Sequence, residues 1–400
     1  MISSEHSEFL VGNYAPPAIE IIRGKGTKVW DKQDKEYLDF TSGIAVNNLG
    51  HSHPYWIDSV TAQANQLVHC SNLFSIPEQV RLAKRLVEKI GKGKLLFCNS
   101  GAEANEGMIK LVRLNENQRN KNPRHNILVA GNGFHGRTLG ALSATESPKY
   151  RKGFEPLLPS FDFAPLNDIE AFDRAINDNT SAVLVESIQG EGGIFVADDS
   201  FLQELSAICS QRKVMLLLDE VQAGIGRTGE FLGFQKSGIL PSAVAMAKGL
   251  GGGFPIGAIW INEEYANTFG PGSHGTTFGG SPLACSAANA VLDVLEEENW
   301  ISAARQKGLV LQKKLSEYIT KYPDLISEVR GRGLMLALAF RNDPTPVVSK
   351  LREAGLLVVG AAGHSVRFLP PLNVLNKEID QAIEIVDSTL SSLQPAEVRK

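Results

Sequence analysis

The middle of this 400-residue chain alternates short apolar runs with amphipathic helical patterns. The runs are apolar at consecutive positions, which is typical of parallel strands buried on both faces. Between them, segments such as 77–90 and 200–212 carry apolar residues at helical spacing. The alternation predicts an α/β fold built around a mostly parallel sheet. The strand candidates are 94–98, 126–130, 181–186, 214–219, 242–247 and 256–261.

The pattern changes at both ends of this α/β region. The N-terminal part indicates a short meander of strands with a turn in the sequence DKQDK. After about residue 297, a long helix leads into a smaller α+β pattern. We therefore expect a large domain at 51–297 and a small domain at 298–400, with residues 1–50 as an N-terminal segment that belongs to the small domain.

Composition narrows the classes of partner. The net charge is −4 with no block of like charges, so we expect neither a nucleic acid nor a membrane as partner. The N-terminal residues lack a basic stretch followed by a long apolar segment, and no run approaches the roughly 20 apolar residues of a membrane span. Four scattered cysteines predict reduced thiols in a cytoplasmic protein, and no metal site is expected.

Lys248 and Asp219 form the most informative pair in the sequence. Lys248 lies at the rim of the apolar run AMAKGLGGGFP, and Asp219 ends the strand candidate VMLLLD. Loss of solvation favours the neutral amine of a lysine, which makes Lys248 a candidate for forming a Schiff base. An aspartate at a strand end can pair with a pyridinium nitrogen. This combination is the anchor pair of enzymes that use pyridoxal 5′-phosphate (PLP).

A candidate phosphate site follows the first buried strand. Ser100 and Glu103 fit a capping box that opens a helix. Gly101 and Ala102 then leave backbone N–H groups uncovered at the positive end of that helix, which suits an anion. The alternative is an ordinary N-cap with no ligand.

A glycine triad at Gly131, Gly133 and Gly136 matches the G-x-G-x-x-G pattern of dinucleotide-binding proteins. The residues that follow form a poor helix pattern, however, and Phe134 stands where a small residue would be needed. We therefore interpret the segment as a rigid turn that presents Phe134 to a flat ring and Arg137 to a substrate carboxylate.

Further candidate site residues, all polar except Val221, stand at strand ends, before a helix and between apolar neighbours. Those at strand ends would be grouped at the carboxyl edge of the sheet, where open α/β sheets bind ligands. The alternatives are solvated loop residues for the first group, helix capping for the two threonines and a surface salt bridge for the arginine. These residues are Glu186, Gln189, Glu191, Val221 and Gln222, then Thr276 and Thr277, and finally Arg367.

Taken together, the chain resembles the class-III aminotransferases of PLP fold type I, the aspartate aminotransferase-like fold. The resemblance runs from about Tyr14 to the C-terminal helix. It implies a large domain with a mostly parallel seven-stranded sheet, a small α+β domain, PLP as cofactor and a homodimer with shared active sites. The matching segments are LDFTSGIAVNNLGHSHP, FCNSGAEAN, GFHGRT, VESIQGEGG, LLLDEVQAGIGRTG, AKGLGGGFPIGA, HGTTFGGSPLAC and VRFLPPL.

The resemblance also implies a role for each matching residue. Lys248 is the catalytic lysine and the covalent anchor of PLP. The other cofactor-binding residues are Ser100, Gly101, Ala102, Phe134, Glu186, Asp219, Val221, Gln222 and, from the neighbouring subunit, Thr277. The substrate-binding residues are Tyr14, Arg137, Glu191, Thr276 and Arg367. One departure is Ser187, where the family usually has proline, and we expect it to alter the stiffness of the loop.

Within the class, the segments are most similar to the acetylornithine aminotransferases. This similarity implies transfer of the terminal amino group of N-acetylornithine to 2-oxoglutarate, in arginine biosynthesis. Ornithine, succinylornithine and 4-aminobutyrate aminotransferases remain alternatives because they share the site. The resemblance further implies that Glu191 pairs with Arg367 while the donor is bound and releases it for 2-oxoglutarate. A PLP-binding protein without turnover and a nicotinamide-dependent oxidoreductase are the alternatives from other functional classes.

Overall fold

A computed structural model describes residues 8–393 of the protein. The strands occupy three larger sheets and one two-stranded ribbon. In chain order they are β1 Ile21–Lys25, β2 Lys28–Asp31, β3 Glu36–Asp39, β4 Gly93–Cys98, β5 Asn126–Ala130, β6 Phe161–Ala164, β7 Thr180–Glu186, β8 Ile188–Gln189, β9 Phe195–Val196, β10 Met215–Asp219, β11 Ala243–Met246, β12 Gly257–Asn262, β13 Ile326–Arg332, β14 Met335–Phe340, β15 Leu356–Leu357, β16 Val359–Ala361 and β17 Ser365–Phe368.

The central sheet has seven strands in the order β4-β12-β11-β10-β7-β5-β6. All of its strands run in one direction except β12, which is antiparallel to both of its neighbours. The six strand candidates from the sequence are confirmed to within one residue at either end. The strand β6 was not predicted, because the alternating segment FDFA is too short and too polar to resemble a buried strand.

Helices cover the sheet and build the C-terminal region. The α-helices are Ser42–Ala45, Pro54–Gln66, Pro77–Ile90, Gly101–Arg119, Leu139–Ser143, Pro148–Arg151, Ile169–Ala175, Asp199–Arg212, Pro282–Glu297, Trp300–Lys321, Thr345–Glu353 and Asn376–Leu393, and the 3₁₀ turns are Gly233–Ser237 and Lys248–Leu250. Within residues 8–393, no helix has the length and apolar character needed to cross a bilayer.

The helix Pro77–Ile90 illustrates how the sequence determines these elements. Proline at its first position has the backbone angle that a helix start requires and needs no hydrogen-bond acceptor there. Leu82, Leu86 and Ile90 follow at a spacing of four and bury one face of the helix in the core. The helix ends at Gly91, whose φ of 140° disfavours other residues.

The N-terminal strands belong to the same sheet as a strand near the C-terminus. β1, β2 and β3 form the predicted antiparallel meander, and β15 pairs with β3 in parallel. Strands β13, β14, β17 and β16 form a separate antiparallel sheet. The division at residues 50 and 297 stays a prediction, supported by this pairing of the first segment with the last. Residues 1–7 and 394–400 lie outside the described residues.

Candidate active site

The main candidate site is a cavity of about 390 Å³ at the carboxyl ends of β7, β10 and β11. Glu186 and Asp219 are the last residues of two adjacent strands, and they lie side by side in the register. Lys248 follows the third strand by two residues. The edge of the sheet therefore brings three residues far apart in sequence to one place. The predicted residues that line the cavity are Ser100, Gly101, Ala102, Phe134, Arg137, Glu186, Glu191, Asp219, Val221, Gln222 and Lys248.

Lys248 occupies a strained and poorly solvated position. Its φ is 43°, in the left-handed region that non-glycine residues rarely adopt, and such backbone strain is concentrated at functional sites. The next residue, Gly249, packs so closely against Asn48 that a Cβ there would lie 2.3 Å from the Asn48 side chain. Burial lowers the pKa of the Lys248 ammonium, and the charge of Glu191 offsets only part of this effect. A neutral amine is therefore more accessible here than on an ordinary surface lysine.

Three groups fix the carboxylate of Asp219. Oδ1 accepts a hydrogen bond from the backbone N–H of Val221 at 3.0 Å. Oδ2 accepts one from the Asn105 side chain at 2.7 Å and lies 2.8 Å from Nδ1 of His135. Burial alone would lower the pKa of His135, but the hydrogen bond and charge of Asp219 outweigh it and raise the pKa. The three contacts therefore fix the orientation of the Asp219 side chain.

Sequence reasoning missed His135 and Asn105 as site residues. Both are buried, and the Asn105 side chain also donates to the carbonyl of His135 at 2.7 Å. Asn105 could have been suspected as a site residue because it is a polar residue on the buried face of the helix Gly101–Arg119. His135 could have been suspected because it lies in the same glycine-rich turn as Phe134 and Arg137, the two residues to which a role was given.

Glu186 supports the loop that carries Phe134. Its carboxylate accepts hydrogen bonds from the backbone N–H groups of Phe134 at 3.0 Å and of Gly190 at 3.3 Å. Burial raises the pKa of Glu186 to about 8, and the neighbouring charge of Asp219 adds to this effect. Both hydrogen bonds come from the backbone of the neighbouring loops, so Glu186 holds these loops in place.

The helix Gly101–Arg119 points its N-terminus at the cavity. Ser100 caps it as predicted, with its Oγ accepting from the N–H of Glu103 at 3.2 Å. The capping box itself is wrong in its second half, because Glu103 accepts from the N–H of Asn99 at 2.5 Å and not from Ser100. Helix and sheet approach closely here: a Cβ on Gly101 would lie 2.6 Å from a methyl carbon of Val221.

Arg367 lies at the far side of the site on β17 and is only 1% exposed. It makes a bidentate ion pair with Glu191, with N–O distances of 2.5 and 3.1 Å. Gln222 joins both residues, accepting from Arg367 at 3.1 Å and donating to Glu191 at 3.4 Å. Burial alone would raise the pKa of Glu191, but the charge and hydrogen bonds of Arg367 outweigh it and lower the pKa. The predicted pairing of Glu191 with Arg367 is present.

Arg137 lies at the mouth of the cavity and is exposed. Its guanidinium carbon is 4.0 Å from the centroid of the Tyr150 ring and 5.4 Å from that of Phe134. The two rings meet edge to face at 5.7 Å. Among residues 8–393, no carboxylate lies within ion-pair distance of Arg137.

Four predicted site residues are not among those that line the cavity in a single chain. Arg367 contacts the lining residues Glu191 and Gln222 from behind. Tyr14 is 82% exposed. Thr276 accepts hydrogen bonds from the N–H of Gly279 and the side chain of Asn99, and it lines a different cavity. Thr277 is exposed on the same loop. Their predicted roles stay predictions, and for Thr277 the role concerns a neighbouring subunit.

The aminotransferase class-III family model matches residues 11–390 of the chain. The acetylornithine aminotransferase of Caldanaerobacter subterraneus subsp. tengcongensis is 44% identical over 98% of this chain and 100% of its own. Among solved structures, an ornithine aminotransferase from Toxoplasma gondii, with PLP partially occupying its active site, has a TM-score of 0.93 at 32% identity, covering 97% of this chain and 93% of that one. The acetylornithine aminotransferase from Elizabethkingia anophelis has a TM-score of 0.87 at 33% identity, covering 97% and 98%.

These matches extend over nearly the whole chain and agree with the fold described above. The expected type I fold is confirmed, and class-III aminotransferases are PLP-dependent enzymes that act on amino-acid and keto-acid substrates. Because the family model and the similar full-length relatives agree, the chain belongs to the class-III aminotransferases.

Proposed function

We propose that the protein transfers the terminal amino group of N-acetylornithine to 2-oxoglutarate, giving N-acetylglutamate 5-semialdehyde and glutamate. The observation that carries the proposal is the pair of arginines on the substrate side of Lys248. Arg367 is held by a carboxylate that can release it, and Arg137 has no ion-pair partner among residues 8–393. The names of similar full-length relatives support the same donor.

The residues of the cavity fit PLP. A poorly solvated amine, an oriented carboxylate and a helix N-terminus surround a space of about 390 Å³, and they match the aldehyde, ring nitrogen and phosphate of that cofactor. When bound, PLP supplies an electron sink that lets the carbon bearing the amine lose a proton. Lys248 would hold the cofactor, and its free amine would then move this proton.

Asp219 would accept a hydrogen bond from the ring nitrogen and keep it protonated. Its two oxygens already have fixed donors in Val221, Asn105 and His135, so its orientation does not depend on the ligand. A preorganised charge of this kind stabilises charge changes on the ring without reorganisation. The raised pKa of His135 favours its positively charged form, which can donate to Asp219.

The remaining cofactor residues would hold the ring and the phosphate. Phe134 and Val221 would flank the two faces of the ring, while Gly101 and Ala102 offer backbone N–H groups to the phosphate. Glu186 would position Phe134 through its hydrogen bond to the backbone. We also propose Ser100 and Gln222 as cofactor-binding residues, because both line the cavity.

The two arginines would separate the two substrates. The donor has no carboxylate on its reacting carbon, so Arg367 stays paired with Glu191 while the donor binds. 2-Oxoglutarate has a carboxylate next to its reacting carbon, and we propose that this group displaces Glu191 from Arg367. Gln222 contacts both side chains and would support either arrangement. Arg137 would bind the carboxylate at the far end of each substrate.

The outer part of the site favours a donor whose second nitrogen is uncharged. A second cavity of about 570 Å³ adjoins the first at Phe134 and Glu191. Of the described carboxylates that line it, Glu191 is committed to Arg367 and Asp343 accepts hydrogen bonds from Thr345. Among residues 8–393, the second cavity thus offers the α-ammonium of ornithine no carboxylate without a hydrogen-bond partner, whereas an amide nitrogen needs none. Ornithine remains the second candidate donor, because ornithine aminotransferases are close in fold.

We also propose a homodimer. The segments around residues 69–74 and 278–280 pack together, with the Asn72 side chain donating to the carbonyl of Gly279 at 3.0 Å. Large apolar side chains are exposed on them, including Leu73 at 86% and Phe278 at 62%. Exposed apolar patches mark interfaces, and Thr277 lies within this one. In a dimer, Thr277, Thr276 and Tyr14 would lie either at the site of their own subunit or at that of the partner. A role in arginine biosynthesis and a cytoplasmic location stay predictions.

A single half-reaction tests the donor. Purified holoenzyme is mixed with N-acetylornithine without any keto acid, and the visible absorbance of the bound cofactor is followed. We expect a change much faster than with ornithine or 4-aminobutyrate, and none in Lys248→Ala. A response to another amine in place of N-acetylornithine would contradict the donor, and a protein that takes up no PLP would contradict the role of Lys248.

A further inference from the structure

Tyr150 holds no position in the proposed chemistry, yet it makes the closest ring contact with Arg137. The guanidinium lies 4.0 Å from the centre of the Tyr150 ring. Tyr150 in turn meets Phe134 edge to face, with an interplanar angle of 81°. We call the two rings of Phe134 and Tyr150 the aromatic shelf.

The shelf is built independently of any ligand. Tyr150 lies on the short helix Pro148–Arg151, which starts at Ser147 with a backbone hydrogen bond of 3.0 Å from the N–H of Tyr150. The neighbouring Arg151 packs over the ring of Phe163 on β6 at 5.6 Å, which ties this helix to the central sheet. These contacts hold the helix that carries Tyr150 next to the central sheet, and the Phe134 ring packs against Tyr150.

A ring holds an arginine differently from a carboxylate. The π face attracts the guanidinium by its quadrupole and leaves the in-plane N–H groups free. A carboxylate would occupy those same N–H groups and neutralise the charge. Arg137 has ring partners and, among residues 8–393, no ion-pair partner. The shelf therefore orients Arg137 without consuming the groups that a substrate carboxylate needs.

We propose that Tyr150 is a positioning residue that presents Arg137 to the remote carboxylate of the substrates. The inference rests on the proposed function in taking Arg137 as the carboxylate-binding residue. It adds a specificity device, because substrates with a carboxylate would gain from Tyr150 and otherwise identical amines without one would not. Loss of the ring should thus act on the binding of carboxylates and leave the proton transfer at Lys248 intact.

The test measures binding of glutarate, an unreactive five-carbon dicarboxylate, to the holoenzyme by calorimetry. We expect Tyr150→Leu to raise the Kd for glutarate about fivefold, the effect of losing one partly exposed cation–π contact. Tyr150→Phe keeps the ring and should restore the Kd to near that of the wild type. In an Arg137→Leu background, Tyr150→Leu should change the Kd no further.

Steady-state kinetics supply a second measurement on the same variants. Tyr150→Leu should raise the KM for N-acetylornithine with little change in kcat, since the ring acts on binding only. Melting temperature and PLP content, compared among all variants, identify any loss of fold. The proposal is overturned if wild-type enzyme does not bind glutarate, if Tyr150→Leu binds it normally, or if the effect persists without Arg137. If glutarate binding depends on Tyr150 but N-acetylornithine does not react, the proposed donor is wrong and this inference stands.

Discussion

Replacing Glu191 with glutamine should let the enzyme accept α-amines more readily. The substitution keeps the size of the side chain and removes its charge, so Arg367 loses its only anionic partner within ion-pair distance among residues 8–393. Arg367 would keep the carbonyl oxygens of Gly190 and Gly360 and the amide oxygen of Gln222 as acceptors. The fold should therefore tolerate the change, while the arginine becomes available to a substrate carboxylate.

The magnitude follows from the two hydrogen bonds of the pair. A charge-assisted hydrogen bond contributes about 1.5–3 kcal/mol, against about 1 kcal/mol for a neutral one. Glutamine keeps one acceptor oxygen for Arg367, so one charge-assisted bond is lost and the free energy needed to release Arg367 should fall by about 1.5–3 kcal/mol. This corresponds to roughly a 10- to 150-fold gain for substrates whose α-carboxylate must displace Glu191.

The assay compares the half-reactions of glutamate and N-acetylornithine by stopped-flow absorbance of the cofactor. The ratio of their second-order rate constants should shift toward glutamate by that factor. Glu328→Gln is a matched control, because Glu328 forms an ion pair with Arg330 at 3.1 Å away from the cavity and is half-exposed. An unchanged ratio in Glu191→Gln, or an equal shift in the control, would refute the proposed release of Arg367.

Three further predictions concern the cofactor and the fold. Gly101→Ala places a Cβ 2.6 Å from a methyl carbon of Val221 and should weaken PLP binding about tenfold through overpacking, as measured by equilibrium dialysis. Gly270→Ala is the control, because the space around Gly270 is open and PLP binding should not change. The rate at which apoenzyme takes up PLP should rise with pH and level off below the ordinary lysine pKa of 10.5, since only neutral Lys248 reacts; a rate still rising above that pH would contradict the lowered pKa. The arginine beside Glu116 outweighs the effect of burial and lowers the pKa of this carboxyl, so its charge stabilises the fold at neutral pH and ceases to do so as pH falls through the lowered pKa. Glu116→Gln should therefore lower the Tm more at pH 7 than at pH 4, and an equal loss at both would count against the ion pair.

Local sequence patterns were sufficient to predict the site residues that stand directly at strand ends. Asp219 and Glu186 end strands whose apolar composition is evident, and the geometry of parallel sheets then brings them together. The N-terminus of the helix at Gly101 was accessible in the same way, from the capping serine before it.

Residues that reach the site through tertiary contacts could not be predicted. His135 and Asn105 meet Asp219 across the sequence, and neither belongs to a pattern that specifies a partner. Tyr150 lies in a short segment without periodicity, and nothing in that segment specifies its contact with Arg137. Glu103 accepts from the N–H of Asn99 and not from that of Ser100, a difference of one residue that the capping pattern does not specify.

The pairing of β3 with β15 has a consequence for the order in which the chain folds during synthesis. Leu38 pairs with Leu356, so the first sheet lacks its fourth strand until almost all of the protein has left the ribosome. Contacts of such large sequence separation carry a high entropic cost and form late. In the meantime one edge of β3 has unpaired backbone groups, which can pair with another nascent chain. C-terminally shortened forms of the protein should therefore be prone to aggregation, even when they retain every residue that surrounds Lys248.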